Sequence, residues 1–357
     1  MEIKELTVPM HKRKPKPQDE SNLGFGKTFT DHMFVMQYIQ GKGWYNPKIK
    51  PYANLKMDPA SLCLHYSQLI FEGLKAYRGD DNSVYLFRPI ENAKRLNASA
   101  TRMCMPEIDT KVFIDAVKAL TLCEQEWIPH SEGSSLYIRP TMIATQPLLG
   151  VQVSLEYLFY IIASPVGAYY SEGFTPTKIY VEEEFVRSAP GGIGFCKAAA
   201  NYAASLMASK KASAKGYTQV LWLDAVKRKY VEEVGTSNIF FLIGNELITP
   251  PLSGTILPGI TRDSVIQLAK SWDIKVTERS ISIDEVISAI KETKLTEAFA
   301  SGTAAIVSPV GTMHYKGVDY NINAGKVGKL TKKLYDNILA IQYGKKKDTF
   351  DWRIKIC

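Results

Sequence analysis

Residues 164–176 read SPVGAYYSEGFTP, a stretch where prolines, glycines and small polar residues replace the apolar runs on either side. Such residues interrupt regular structure, so the chain is expected to fold as two bodies joined here. Its 357 residues also exceed one typical core of roughly 150. The expected plan is a proline-broken, poorly ordered arm at 1–22, a smaller α/β domain at 23–165, a connecting loop at 166–176 and a larger domain at 177–357.

Before the break, HMFVMQYI (32–39), SVYLF (83–87), SLYIR (135–139) and EYLFYII (156–162) have the β-branched and aromatic content of strands. Pro89 suits a first helical turn, and Asp109 suits the cap of a helix carrying Val112, Ala116, Val117 and Leu120. After the break, strands are expected near 178–186, 218–223, 238–243, 274–279 and 297–302. Helices are expected near 198–213, 261–272 and 283–291. The fold class is therefore α+β, in two domains with a cleft between them.

Several function classes lack their signatures. No apolar run reaches the roughly 18 residues of a membrane span. MEIKELTVPM has neither the apolar core of a signal peptide nor the character of a transit peptide, so a cytoplasmic location is expected. Five cysteines without a CxxC, and histidines outside any HExxH, give no local metal motif, and none is expected. The net charge of +8 is concentrated in HKRKPKP (11–17) and KKK (345–347), without the interleaved aromatics of a nucleic-acid platform. GxSxG, the Walker pattern and GxGxxG with its acidic partner are absent too.

What remains is APGGIGFCK, ending at Lys197, and EVGT, beginning at Glu233. A lysine that forms a Schiff base must lose its proton near neutral pH, which calls for a desolvated or electropositive site. Gly191, Gly192, Gly194 and the alanines after Lys197 let a flat ring approach the backbone. A carboxylate such as Glu233 pairs with the ring nitrogen of pyridoxal phosphate. On this segment alone, a lysine opening a helix after a glycine turn is an equal reading. Tyr202, just beyond, is placed to meet a ring hydroxyl or simply to fill a core. Thr261 at a helix start, Arg95 on the first helix and Thr303 after a sharp turn at Gly302 are candidate phosphate donors. Arg139, at the end of an aromatic strand, calls for a carboxylate partner.

The ordered set LHYSQLIFEGLKAYRG, LFRPIENAKR, LYIRPTMIAT, KAAANYAASL, QVLWL, EVGTSNIF, GITRDS and SGTAAIVSPVG resembles the branched-chain amino acid aminotransferases of the fold-type IV pyridoxal phosphate class. The resemblance runs from 25 to 311. It implies a two-domain architecture with the cofactor in the interdomain cleft, the larger domain binding it. It implies that Lys197 holds the cofactor as a Schiff base, that Glu233 pairs with its ring nitrogen and that Tyr202 meets its hydroxyl. Arg95, Thr236, Ile260, Thr261 and Thr303 would surround ring and phosphate. Phe25, Tyr66, Phe71, Tyr137 and Tyr169 would line the side-chain pocket, with Tyr66, Arg139, Thr303 and Ala304 handling carboxylates. Val151 would reach the neighbouring subunit, so a homodimer is implied. The implied reaction exchanges amino groups between leucine, isoleucine or valine and 2-oxoglutarate. A D-amino acid aminotransferase or an aminodeoxychorismate lyase is the alternative within the class, and a phosphate-binding module without catalysis the alternative outside it. Some animal members carry a CxxC pair where this chain has Ala305 and Ser308, so that thiol control is excluded here.

Overall fold

The apolar and aromatic runs form two sheets, one in each of two compact units. The computed structural model describes residues 1–167 and 174–357. In chain order its first half comprises β1 (Lys4–Glu5), β2 (His32–Ile39), β3 (Gly43–Pro51), α1 (Leu62–Tyr66), β4 (Leu69–Phe71), β5 (Leu74–Arg78), β6 (Val84–Phe87), α2 (Pro89–Arg102), α3 (Thr110–Cys123), β7 (Ser135–Ala144) and β8 (Glu156–Val166). There follow β9 (Thr177–Val181), α4 (Ala199–Ala204), α5 (Leu206–Ala214), β10 (Gln219–Leu223), β11 (Val231–Val234), β12 (Ser237–Ile243), β13 (Glu246–Thr249), α6 (Ile260–Lys270), β14 (Lys275–Glu278), α7 (Ile283–Lys291), β15 (Leu295–Gly302), β16 (Ile306–Tyr315), β17 (Val318–Asn321), α8 (Lys329–Gln342) and β18 (Arg353–Lys355).

The first unit groups Met1–Ser171 with Cys196–Ala199 and Leu339–Cys357. Its sheet runs β1-β3-β2-β8-β7-β5-β6-β18, with β4 paired to β7. Asp109 caps α3 by accepting from the N–H groups of Lys111 and Val112, and Pro89 opens α2. Phe113 of α3 then meets Phe159 of β8, which also packs edge-on against Phe34 of β2. Nearly every residue of β7 is buried, so both faces of the sheet are covered there.

The second unit is Glu172–Phe195 with Ala200–Ile338. Its sheet runs β11-β10-β9-β16-β15-β12-β13-β14, and β11 also pairs with β12, closing the strands from β9 to β12 with β15 and β16 into a ring. Ile179, Leu221, Ile239, Phe241, Ala298 and Met313 fill one face of it beneath Val286 and Ile290 of α7. Ser282 caps that helix. No helix of the described residues is long and apolar enough to cross a membrane.

Three expectations change. Residues 1–22 are not loose: β1 pairs in parallel with β3, and the Lys14 N–H donates to Asp31 Oδ1 at 2.8 Å. Proline-broken composition rules out long elements but leaves backbone N–H groups free to dock on side-chain acceptors. The segment 177–357 does not stay in one body, because β18 pairs with β6 and Cys196–Ala199 belong to the first unit. The helix expected over 198–213 is interrupted at Ser205. Tyr169 lies outside the described residues.

Candidate active site

Lys197 is fixed by its backbone. Its N–H donates to Ser99 Oγ of α2 at 3.0 Å, and its carbonyl accepts from the Phe71 N–H of β4 at 3.0 Å. Ala198 bridges Ile70 beside it. The side chain then lies over an aromatic surface, with Nζ 5.0 Å from the centre of the Phe71 ring.

The register explains which residues share that surface. Phe71 stands opposite Thr141, and Lys75 opposite Tyr137, so Phe71, Lys75, Tyr137 and Arg139 project from one face of the sheet. The Arg139 guanidinium lies 4.6 Å from the Phe71 ring and donates from Nη2 to the Tyr137 hydroxyl at 3.0 Å. Phe25 meets Tyr137 edge-on at 4.8 Å. Gly73 makes room, since a Cβ there would overlap the Tyr137 hydroxyl. Arg139 Nε is buried without a hydrogen-bond partner, a cationic donor still able to serve an anion. Tyr66 is not part of this contact chain; its hydroxyl donates to the Leu149 carbonyl, near the exposed Val151.

Glu72 points the other way from β4 and is fully buried. Arg95 grips it with Nε and Nη2 at 2.8 and 2.9 Å, and Asn92 donates at 2.7 Å. Burial alone would raise the Glu72 carboxyl; Arg95, Lys197 and Asn92 outweigh it and hold it below the usual range. Arg95 is therefore a buried, oriented cation rather than a surface arginine.

In the second unit the EVGT string is a tight hairpin. Glu233 of β11 faces Asn238 of β12 across a two-residue turn, and Gly235 has φ 56° there. A Cβ on Gly235 would overlap the Gln219 amide, so the turn requires glycine twice over. Glu233 is buried, with Arg187 Nε 2.6 Å from Oε2 and Asn238 Nδ2 donating to Oε1 at 3.1 Å. Its neighbour Glu232 accepts instead from Thr255 Oγ1 at 2.5 Å, and burial raises its carboxyl. Of the two acids, Glu233 is the one that Arg187 meets directly.

The remaining second-unit candidates fall around this hairpin. Tyr202 and Thr236 line one hollow with Arg187, Asn201, Ser205 and Gly235. Gly259 abuts Asn238 so closely that a Cβ would overlap it, and there begins α6, carrying Ile260 and the buried Thr261 in its first turn. Ser301 pairs with Asn238 across β12 and β15, and Thr303 and Ala304 follow in the turn. The left-handed residue of that turn is Ile306 at φ 63°, not Gly302. A β-branched residue is strained there.

Residues 69–312 match the model of the amino-transferase class IV family. The chain belongs to that family. A branched-chain-amino-acid transaminase 1 of Bacillus subtilis (strain 168) is 53% identical over 99% of this chain and 98% of its own. Among solved structures, the branched-chain amino acid aminotransferase of Escherichia coli superposes with a TM-score of 0.78 at 27% identity, covering 92% of this chain and 99% of that one. A branched-chain amino acid aminotransferase of T.th., solved with pyridoxamine 5'-phosphate, gives 0.75 at 26% identity over 90% and 98%.

Sequence reading of this aminotransferase missed Glu72, Asn92, Lys75, Arg187 and Asn238. Glu72 and Lys75 lie inside LHYSQLIFEGLKAYRG, one of the strings that carry the resemblance; strand parity would have separated them onto opposite faces. Arg187 offered no local signal, since its partner Glu233 is reached only through the fold. Lys75 is buried on the Phe71 face, and burial lowers its ammonium to about 8.

Proposed function

We propose that this aminotransferase reversibly moves an amino group between L-leucine, L-isoleucine or L-valine and 2-oxoglutarate, giving branched 2-oxo acids and L-glutamate, with pyridoxal 5'-phosphate as cofactor. The observation that carries the reading is Lys197 beside Phe71, Tyr137 and Arg139, an amine on an apolar face that also holds a cation with an unmet donor. Such a face suits a branched side chain and the second carboxylate of glutamate alike. Because an apolar pocket discriminates one methylene by only about 1–3 kcal/mol, all three branched amino acids are accepted.

The residues present fit the cofactor. Glu233, ion-paired with Arg187, suits a protonated ring nitrogen. Gly235 and Gly259 stand where any side chain would collide. Lys197 anchors the group, Tyr202 serves its hydroxyl, and Arg95, Thr236, Ile260, Thr261 and Thr303 hold ring and phosphate. Bound pyridoxal phosphate supplies an acceptor for the electron pair left when the substrate's Cα loses its proton. Lys197 Nζ takes that proton and returns it, acting as base and then acid. Arg139 orients a carboxylate, with Tyr66, Thr303 and Ala304 the further candidates for that role, while Phe25, Phe71 and Tyr137 exclude water from the side chain. The loop bearing Leu149, Val151 and Val153 exposes apolar side chains, which supports a homodimer in which Val151 reaches the partner subunit. A cytoplasmic site is consistent with five free cysteines.

The test is the visible spectrum of the purified protein. A yellow band that bleaches with L-leucine and returns with 2-oxoglutarate is expected, and Lys197→Ala should remove the response. A band indifferent to leucine but sensitive to D-alanine overturns the substrate assignment.

A further inference from the structure

Besides the β1–β3 pairing and Asp31, the basic leading segment is held by one fully buried side chain. His32 is fully buried at the start of β2. Its Nε2 accepts from the Val8 N–H at 2.7 Å. Its Nδ1 makes a short contact with Glu124 Oε1 and lies 3.5 Å from Cys123 Sγ, both at the end of α3. A backbone N–H can only donate, so Nε2 must carry the lone pair and the single ring proton sits on Nδ1, donated to Glu124.

That assignment also disposes of a metal centre. The ligand atoms of His32, Cys123 and Glu124 lie within 4.8 Å of one another, as a cation site would require. A metal on Nδ1 would push the ring proton to Nε2, straight at the Val8 N–H, so an ion and the docked segment exclude each other.

We propose that neutral His32 is a latch for residues 4–14, and that a second proton on its ring releases them. Protonation sets Nε2–H against Val8 N–H, two donors with no acceptor between them. The docked state binds one proton fewer than the released state, so acid favours release, by up to tenfold per pH unit. The groups at the ring are Glu124 and Cys123 at the end of α3; Asp31 from the preceding turn acts on both, Glu5 and Arg13 of the segment act on Cys123, and the Lys14 N–H meets Asp31. Cys123 is pushed up to about 11, chiefly by burial, and stays a neutral thiol throughout. Asp31 is occupied by the Lys14 N–H and the Trp127 indole. Release frees the β3 edge that β1 covers.

The test is amide hydrogen exchange on the full-length holoenzyme between about pH 5 and 8, corrected for intrinsic rates. Protection at Leu6 and Val8 should fall as pH drops while that of β7 and β8 holds. His32→Gln should abolish the pH dependence, because its amide donates to Glu124 and accepts from Val8 without titrating. An unchanged slope in that variant assigns the effect to another group and overturns the latch, as does flat protection in the wild type. Nitrogen-15 NMR of the wild-type histidines needs no variant: Nε2 bare of hydrogen at pH 8 supports the proposal, and a protonated Nε2 there overturns it.

Discussion

Glu233 depends on Arg187, and the dependence is one of charge. Both side chains are buried, at 2% and 8% exposure, so removing the cation strands an anion that water cannot reach. Arg187→Leu should cost about 3–5 kcal/mol in urea unfolding, and adding Glu233→Gln should recover part of it. Lys75 makes a prediction of a different kind. Its ammonium is lowered from 10.5 to about 8 by burial, so between those values the unfolded chain binds more protons than the folded one. Stability therefore rises with pH across that window, by up to about 1.4 kcal/mol per unit. Lys75→Met should flatten that slope, as measured by denaturant midpoints at pH 8, 9 and 10. At this scale the sequence exposed residues that carry local motifs, such as Lys197 and Glu233. It hid Arg187 and Glu72, whose meaning lies in a partner supplied by the fold.

Elements follow the same division. β2 is where its apolar run places it, and α3 begins where Asp109 signals a cap. β11 was illegible, because VEEV reads as a charged stretch; both glutamates are buried in a closed ring, where Glu233 meets Arg187 and Asn238 and Glu232 accepts from Thr255 through one oxygen. The turn that follows is as constrained as any in the molecule. Gly235→Ala adds a strained left-handed alanine to a collision with Gln219 and should cost at least about 1–3 kcal/mol by thermal melting. Binding of pyridoxal phosphate should weaken in parallel, since the hairpin sets Glu233.

For the whole molecule, the prolines and glycines at 164–176 announced a division but not its membership. Short pieces of later sequence, Cys196–Ala199 and Leu339–Cys357, belong to the first unit, and no local pattern records which sheet a three-residue strand will join. Trp352, 4% exposed, packs on Phe87 and Phe350 beside that strand. Trp352→Ala should cost about 3–5 kcal/mol by urea unfolding. The pairing of β18 with β6 also bears on the order of events during synthesis. Once the first 170 residues have emerged from the ribosome, their sheet has a bare β6 edge, and its β4 and α2 still wait for Lys197. That body matures only after nearly all of the second has emerged, so the nascent chain must keep an open strand edge from aggregating for most of its translation.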